Sequence, residues 1–236
     1  MKKLLTLICT LSVSALFAQN VNLATYKLKY LFSNNEQENR FSGIYDRAEQ
    51  YEDDVKIQLI FNADVAVSVS NFEDKNSENR TAFNFCNCEK PVFYNLKNNT
   101  IKQKNVGHIP LNIEDEKYLI TDILNDKEWV LENESKLING FEAFKATKIY
   151  TTIDNVKKAI IAWYAPEIPY SFGPNGYAGL PGLIVQVQFD DRMFVLDRIE
   201  FNQNVAIPEE PTKGVIVTSQ EYKKMEHETY LNMRKK

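Results

Sequence analysis

Trp-Tyr-Ala-Pro-Glu-Ile-Pro-Tyr-Ser-Phe-Gly-Pro-Asn-Gly-Tyr-Ala-Gly-Leu-Pro-Gly-Leu-Ile-Val-Gln-Val-Gln-Phe, residues 163–189, is the stretch from which the rest of the chain can be read. Its end alternates: Leu183, Val185, Val187 and Phe189 fall on one face, Gln186 and Gln188 on the other, and Asp190-Asp191 turns the chain into the next strand. That period of two is the mark of a strand with one covered face. Its middle is irregular, holding four of the eight glycines and four of the eight prolines. Glycine supplies positive φ, and proline locks φ and removes a donor. The segment between Tyr164 and Leu183 is therefore expected to be an ordered loop of one shape.

The same alternation recurs on both sides. Upstream, Tyr26, Leu28, Tyr30 and Phe32 alternate with Lys27 and Lys29, Val55 to Phe61 alternate with Lys56 and Gln58, and Val65, Val67 and Val69 alternate with Ala66 and Ser68. Residues 91–95 and 99–103 flank Asn98 as a tight hairpin. Further strands are expected near 118–121, 128–131, 140–150, 156–164 and 193–201. About ten short strands with local connections predict a mainly β fold, a large antiparallel sheet curled toward a half-barrel. Residues 34–54 and 71–82 are polar and rich in Asn, and read as long solvent-exposed connections, with a helical turn near 43–50. The chain ends on a predicted C-terminal helix. Thr218 is its cap, Glu221 stands three residues on, and Tyr222, Met225, Thr229, Tyr230 and Met233 recur at helical spacing, interrupted by Glu226.

Residues 1–18 have the layout of a signal peptide: Lys2 and Lys3, an apolar run from Leu4 to Phe17, then Ala18 before Gln19. Residues 19–236 then form one β-rich domain, a size that buries a sizeable single core. Without Lys2 and Lys3 the chain carries six more acids than bases, and its Lys and Arg residues are interspersed with acids. That argues against nucleic acid as partner. No apolar run in the mature chain reaches membrane-spanning length.

The loop also carries a resemblance. Gly179-Leu180-Pro181-Gly182-Leu183-Ile184 spells the hexapeptide that names the GLPGLI family of exported bacterial proteins, and Trp163, Tyr164, Ile168-Pro169 and Gly173-Pro174 are similar to its context. Trp129, Gly140-Phe141 and Lys145-Ala146 extend the likeness over about residues 125–200, although many members have a Cys where this chain has Ala143. The resemblance implies an exported protein of Bacteroidota-type bacteria, often found with TonB-dependent outer-membrane transport systems. It implies no catalytic residue.

Candidate chemistry is sparse. The sequence has no Gly-x-Ser-x-Gly, His-Glu-x-x-His or Walker-type motif, and no cofactor signature is legible. The expectation is a non-enzymatic binding or accessory protein of the envelope, with an outer-membrane transporter, a peptide or an apolar molecule as partner. Trp163, Tyr164, Tyr170, Phe172, Tyr177, Leu180 and Pro181 are its candidate ligand or partner surface, since rings on a rigid loop make good anchors; the same rings could instead pack the loop onto the sheet. A curled sheet lined by Tyr and Phe leaves a cavity or is filled by its own side chains.

Cys86-Asn87-Cys88 is the one reactive-looking cluster. With Cys9 inside the signal, these two pair with each other, pair between chains, bind a metal or stay reduced. A local disulfide needs a bent backbone, because extended residues two apart are near the limit of reach. The alternative function is soft-metal (copper or zinc) handling through Cys86 and Cys88, with His108 completing the site. His108 otherwise reads as a loop residue and His227 as a surface one.

Overall fold

The computed structural model describes residues 21–32, 42–108, 111–124, 128–152 and 155–234. The signal-peptide segment with Cys9 lies outside them, as do Lys235 and Lys236. The elements run β1 (Val21–Tyr30), α1 (Ser42–Gln50), β2 (Lys56–Phe61), β3 (Val65–Ser70), α2 (Arg80–Cys86), β4 (Val92–Asn95), β5 (Thr100–Lys104), β6 (Tyr118–Ile123), β7 (Val130–Ile138), β8 (Phe141–Thr151), β9 (Lys157–Ala165), β10 (Leu183–Phe189), β11 (Arg192–Gln203), β12 (Val215–Val217) and α3 (Ser219–Arg234).

The twelve strands among the described residues form one sheet, ordered β12-β6-β5-β4-β3-β2-β1-β11-β10-β9-β8-β7. The β12–β6 pair is parallel and every other pairing antiparallel. The chain meanders outward from β1 to β6, starts again at the opposite edge with β7, and meanders back to β11 against β1. That jump forces curvature. In a flat sheet β6 and β7, ten strand spacings apart in the order, would be separated by about 48 Å. The six residues between Ile123 and Val130 reach at most about 27 Å. The sheet therefore curls, and Lys148 of β8 stands close enough to Asp122 of β6 to feel its carboxylate. The sheet is not closed into a barrel: β12 and β7 remain its edges.

The core lies on the inner face. Tyr26 and Leu28 of β1, Ile57, Leu59 and Phe61 of β2, Val187 of β10 and Phe194 and Leu196 of β11 are all buried there. On β3 the face is the reverse of that expected from its valines. Phe61 is opposite Ala66, and Leu59 is opposite Ser68, so Ala66 and Ser68 point inward. The reason is steric: the 166–182 loop lies over this strand, and small side chains leave it room.

The 71–82 connection is also not simply solvent-exposed. It folds into a 3-10 turn (Phe72–Asp74) and leads into α2, which buries Ala82, Phe83 and Cys86. Buried Asn79 ties this segment to the carboxylate of Asp54 (3.1 Å) and, as acceptor, to the amide of Asn76 (2.8 Å). The 91–103 hairpin forms as expected, with Asn99 taking the left-handed conformation at its turn (φ 53°).

Candidate functional site

The glycine-proline loop, residues 166–182, folds back across the inner face and is held there by its rings and by side-chain hydroxyls. Tyr170 packs edge-on against Phe61 (4.9 Å between centroids) and Phe172 against Tyr94 (5.8 Å). The Tyr94 hydroxyl donates to the carbonyl of Gly173 (2.8 Å) and accepts the amide of Gly176 (2.6 Å), while Ser68 Oγ accepts the amide of Asn175 (2.9 Å). Trp129 donates its indole N–H to the carbonyl of Ala178 (2.9 Å). An irregular buried backbone has to satisfy its polar groups somewhere, and here the sheet's Tyr and Ser side chains do so.

The seven candidate surface residues are therefore mostly not surface. Trp163, Tyr164, Phe172 and Leu180 are buried, Tyr170 and Tyr177 are half-buried, and Pro181 is exposed. Burying a large aromatic ring stabilises by about 2 kcal/mol or more, which outweighs what an exposed ring would contribute by waiting for a partner. Trp163 looks to the other side of the sheet, where it lies opposite Gln186 and under the ammonium of Lys136 (4.0 Å).

Cys86 and Cys88 are joined to each other, with Cα atoms 5.3 Å apart. The bend that extended backbone lacks is supplied by the end of α2: Asn87 adopts the left-handed conformation (φ 54°, ψ 46°). Arg192 donates to the carbonyls of Phe85 and Cys86 (2.9 and 3.2 Å), fixing this turn to β11. Both sulfurs are committed to this bond, so in this state Cys86 and Cys88 present no thiolate beside which His108 could serve. Among the described residues no group of three or more His, Cys, Asp or Glu is disposed to hold a metal.

The inner face is not filled at the end beside α3. A cleft of about 520 Å³ opens there, with Tyr150 and Phe189 on one wall, His108 and Leu111 on a second, and Glu226 and Tyr230 of α3 as its roof. A neighbouring space of about 350 Å³ continues under the first half of the helix toward Asn87, Asn175 and the inner face of β5 and β6. Lys223 and Glu226 line both. The first volume is of the size that holds a small molecule.

Both histidines of the chain, His108 and His227, line this cleft. Their distance in sequence hid that they share it. Asp190 lines it too, accepting from the Tyr150 hydroxyl (2.9 Å) and from Lys158 (2.7 Å), whereas its neighbour Asp191 pairs with Arg192. Burial holds the Glu226 carboxyl above its ordinary range, against the opposing pull of the Tyr222 hydroxyl, His108 and Lys223. Burial also pushes the Tyr222 phenol up to about 12 and the Tyr150 and Tyr177 phenols higher still, so at neutral pH all three are protonated donors. Of the seven loop candidates, Tyr177 comes near the cleft, its ring 6.2 Å from that of Phe189. The arrangement combines an apolar, ring-lined wall with ionisable groups under the helix, a combination suited to binding and orienting a molecule with both kinds of surface.

Comparison with known proteins adds fold but little chemistry. Residues 150–186 match a family described as a protein of unknown function, Porph_ging; the match takes in β9, the loop and the start of β10. No curated protein matches the chain. Two solved structures of PNGF-II, in different space groups, are similar in fold, with TM-scores of 0.53 and 0.51 at 14% and 15% identity. Each match covers 89% of this chain but only 34% and 33% of the PNGF-II chains, so the likeness spans about a third of their length.

Proposed function

We propose that this protein is an exported, non-enzymatic binding or accessory protein of the bacterial envelope, which holds its ligand in the cleft beneath α3 and serves an outer-membrane transport system of the TonB-dependent kind. The observation that carries the reading is the cleft itself. The loop fills one part of the curled sheet, and the space beside α3 is left open, lined by rings and by both histidines. Export is supported by the basic-then-apolar start ending at Ala18 and by the Cys86–Cys88 bond, which suits an oxidising compartment. The transport partner rests on the resemblance of the 179–184 hexapeptide and its surroundings.

Native mass spectrometry of protein purified from the cell envelope tests this. Wild type is expected to carry a bound molecule that the Thr151→Trp variant, with an indole placed at the cleft wall, has lost. The same bound mass on both proteins, or none on wild type, would count against the cleft as the binding site.

A further inference from the structure

Helix α3 is long for what holds it. Among its described side chains, Ser219 to Met233, a single one, Tyr222, is buried. The anchors are gathered at its start. Thr218 and Glu221 exchange hydrogen bonds in a reciprocal cap (2.8 and 3.2 Å), Ser219 donates its amide to Asp122 (3.0 Å), and Tyr222 donates to the carbonyl of Val106 (3.3 Å) while its ring meets Tyr118 edge-on. Beyond Tyr222 the helix is seated more shallowly, with Met225, Glu226, His227 and Thr229 half-buried. Tyr230, Leu231 and Met233 are 50, 41 and 45% exposed although Tyr230 and Met233 continue the apolar stripe begun by Tyr222 and Met225. Open space lies along both flanks, the 520 Å³ cleft on one and about 290 Å³ beside Met225 and Thr229 on the other.

An amphipathic helix held most deeply at one end, with its stripe half-exposed at the other and open space on either side, has the construction of a hinged element. We infer that α3 is a lid, turning about its first turn near Thr218–Tyr222, and that it closes on an amphiphilic ligand. The ligand's apolar body lies against Phe189, Tyr150 and Leu111, and its polar end meets Lys223 and Glu226, where the two spaces join. Closure buries Tyr230 against that body, which gives the ligand a differential affinity for the closed state. Glu226, the residue that interrupts the stripe, is then the lid's polar contact. This inference rests on the cleft being the ligand site, as proposed above.

Two readings separate the lid from the site. The first is titration with the fluorescent amphiphile 8-anilino-1-naphthalenesulfonate, on wild type, Thr151→Trp and Tyr230→Ala, each checked for an unchanged unfolding midpoint. The second is the distance distribution between spin labels on Glu228→Cys and Lys157→Cys, with and without that probe; the bonded Cys86 and Cys88 stay unlabelled. Saturable one-site binding that weakens at least tenfold in Thr151→Trp and severalfold in Tyr230→Ala, together with a broad label distribution that narrows on binding, is the expected result. One-site binding with a narrow distribution that the probe leaves unchanged overturns the lid and spares the site. No saturable binding, or binding indifferent to both substitutions, overturns the ligand class and the site together.

Discussion

The phenol of Tyr94, on β4, donates to the carbonyl of Gly173, 2.8 Å away and 79 residues later in the chain, inside the buried loop. The same oxygen accepts the amide of Gly176 at 2.6 Å. One side chain thus answers two backbone groups that the loop's irregular path leaves without strand partners, and it shows that loop and sheet were built for each other. Tyr94→Phe keeps the ring against Phe172 and removes the oxygen. It is expected to cost about 1–3 kcal/mol, because the buried Gly173 carbonyl and the part-buried Gly176 amide both lose their partner. A urea unfolding midpoint unchanged from wild type would show that the contact does not hold the loop.

The loop also sits where only glycine fits. A Cβ on Gly173 would come 2.7 Å from Cβ of Ile184 and 2.9 Å from the carbonyl oxygen of Tyr177, whereas one on Gly43 in α1 would meet nothing within 4 Å. Gly173→Ala is expected to destabilise by about 1–3 kcal/mol through overpacking. Gly43→Ala should be neutral or stabilise by up to about 1 kcal/mol through helix propensity. Denaturant unfolding of the pair compares them directly; equal effects would mean that the loop has room to shift.

Glu226 predicts a pH dependence. Its carboxyl is held above the ordinary value chiefly by burial, so the folded protein binds its proton more tightly than the unfolded chain does. The contribution to stability is complete below about pH 4, near the unfolded pKa, and is lost as the pH rises through the raised folded value. Glu226→Gln should therefore stabilise at pH 7–8 by no more than about 1 kcal/mol, given solvent screening of a half-buried group, and the gain should vanish toward pH 4. Thermal melts across that range check the sign. A variant less stable than wild type at pH 8 would show that Glu226 is held by a partner rather than desolvated.

The Cys86–Cys88 bond closes a very short loop, so it restricts the unfolded chain little. Replacing both with Ala is expected to lower stability by about 1.5 kcal/mol from chain entropy, with a further loss because Cys86 is fully buried. In oxidised mature protein, thiol titration under denaturing conditions should find no free thiol. Two free thiols would reopen the soft-metal reading.

Much of the fold was legible because alternation is a local signal. Leu183 to Phe189 marked β10 to the residue, and Thr218 with Glu221 marked the start of α3. Where the signal misled, a distant segment had intervened. Ala66 and Ser68 face inward because a loop a hundred residues later needs their smallness, and the Asn-rich 71–82 run hides a helix whose apolar residues are few but buried. The parallel strand β12 has only three residues, too short to show a period. The site was less legible than the fold. The loop's rings were visible, but the side they turn to was not. His108 and His227, each unremarkable alone, line one cleft only because the sheet curls and α3 returns across its open side.

We place the ligand of this protein in the space beneath α3 and not on the outer surface, as proposed above. Site-specific photo-crosslinking in intact cells tests this placement most directly, with a benzophenone amino acid at Thr151, on the cleft wall, or at Leu137, 75% exposed on edge strand β7. The expected result is an adduct of one defined added mass from position 151 and none from position 137. An adduct from position 137 alone would put the ligand on the outer surface instead.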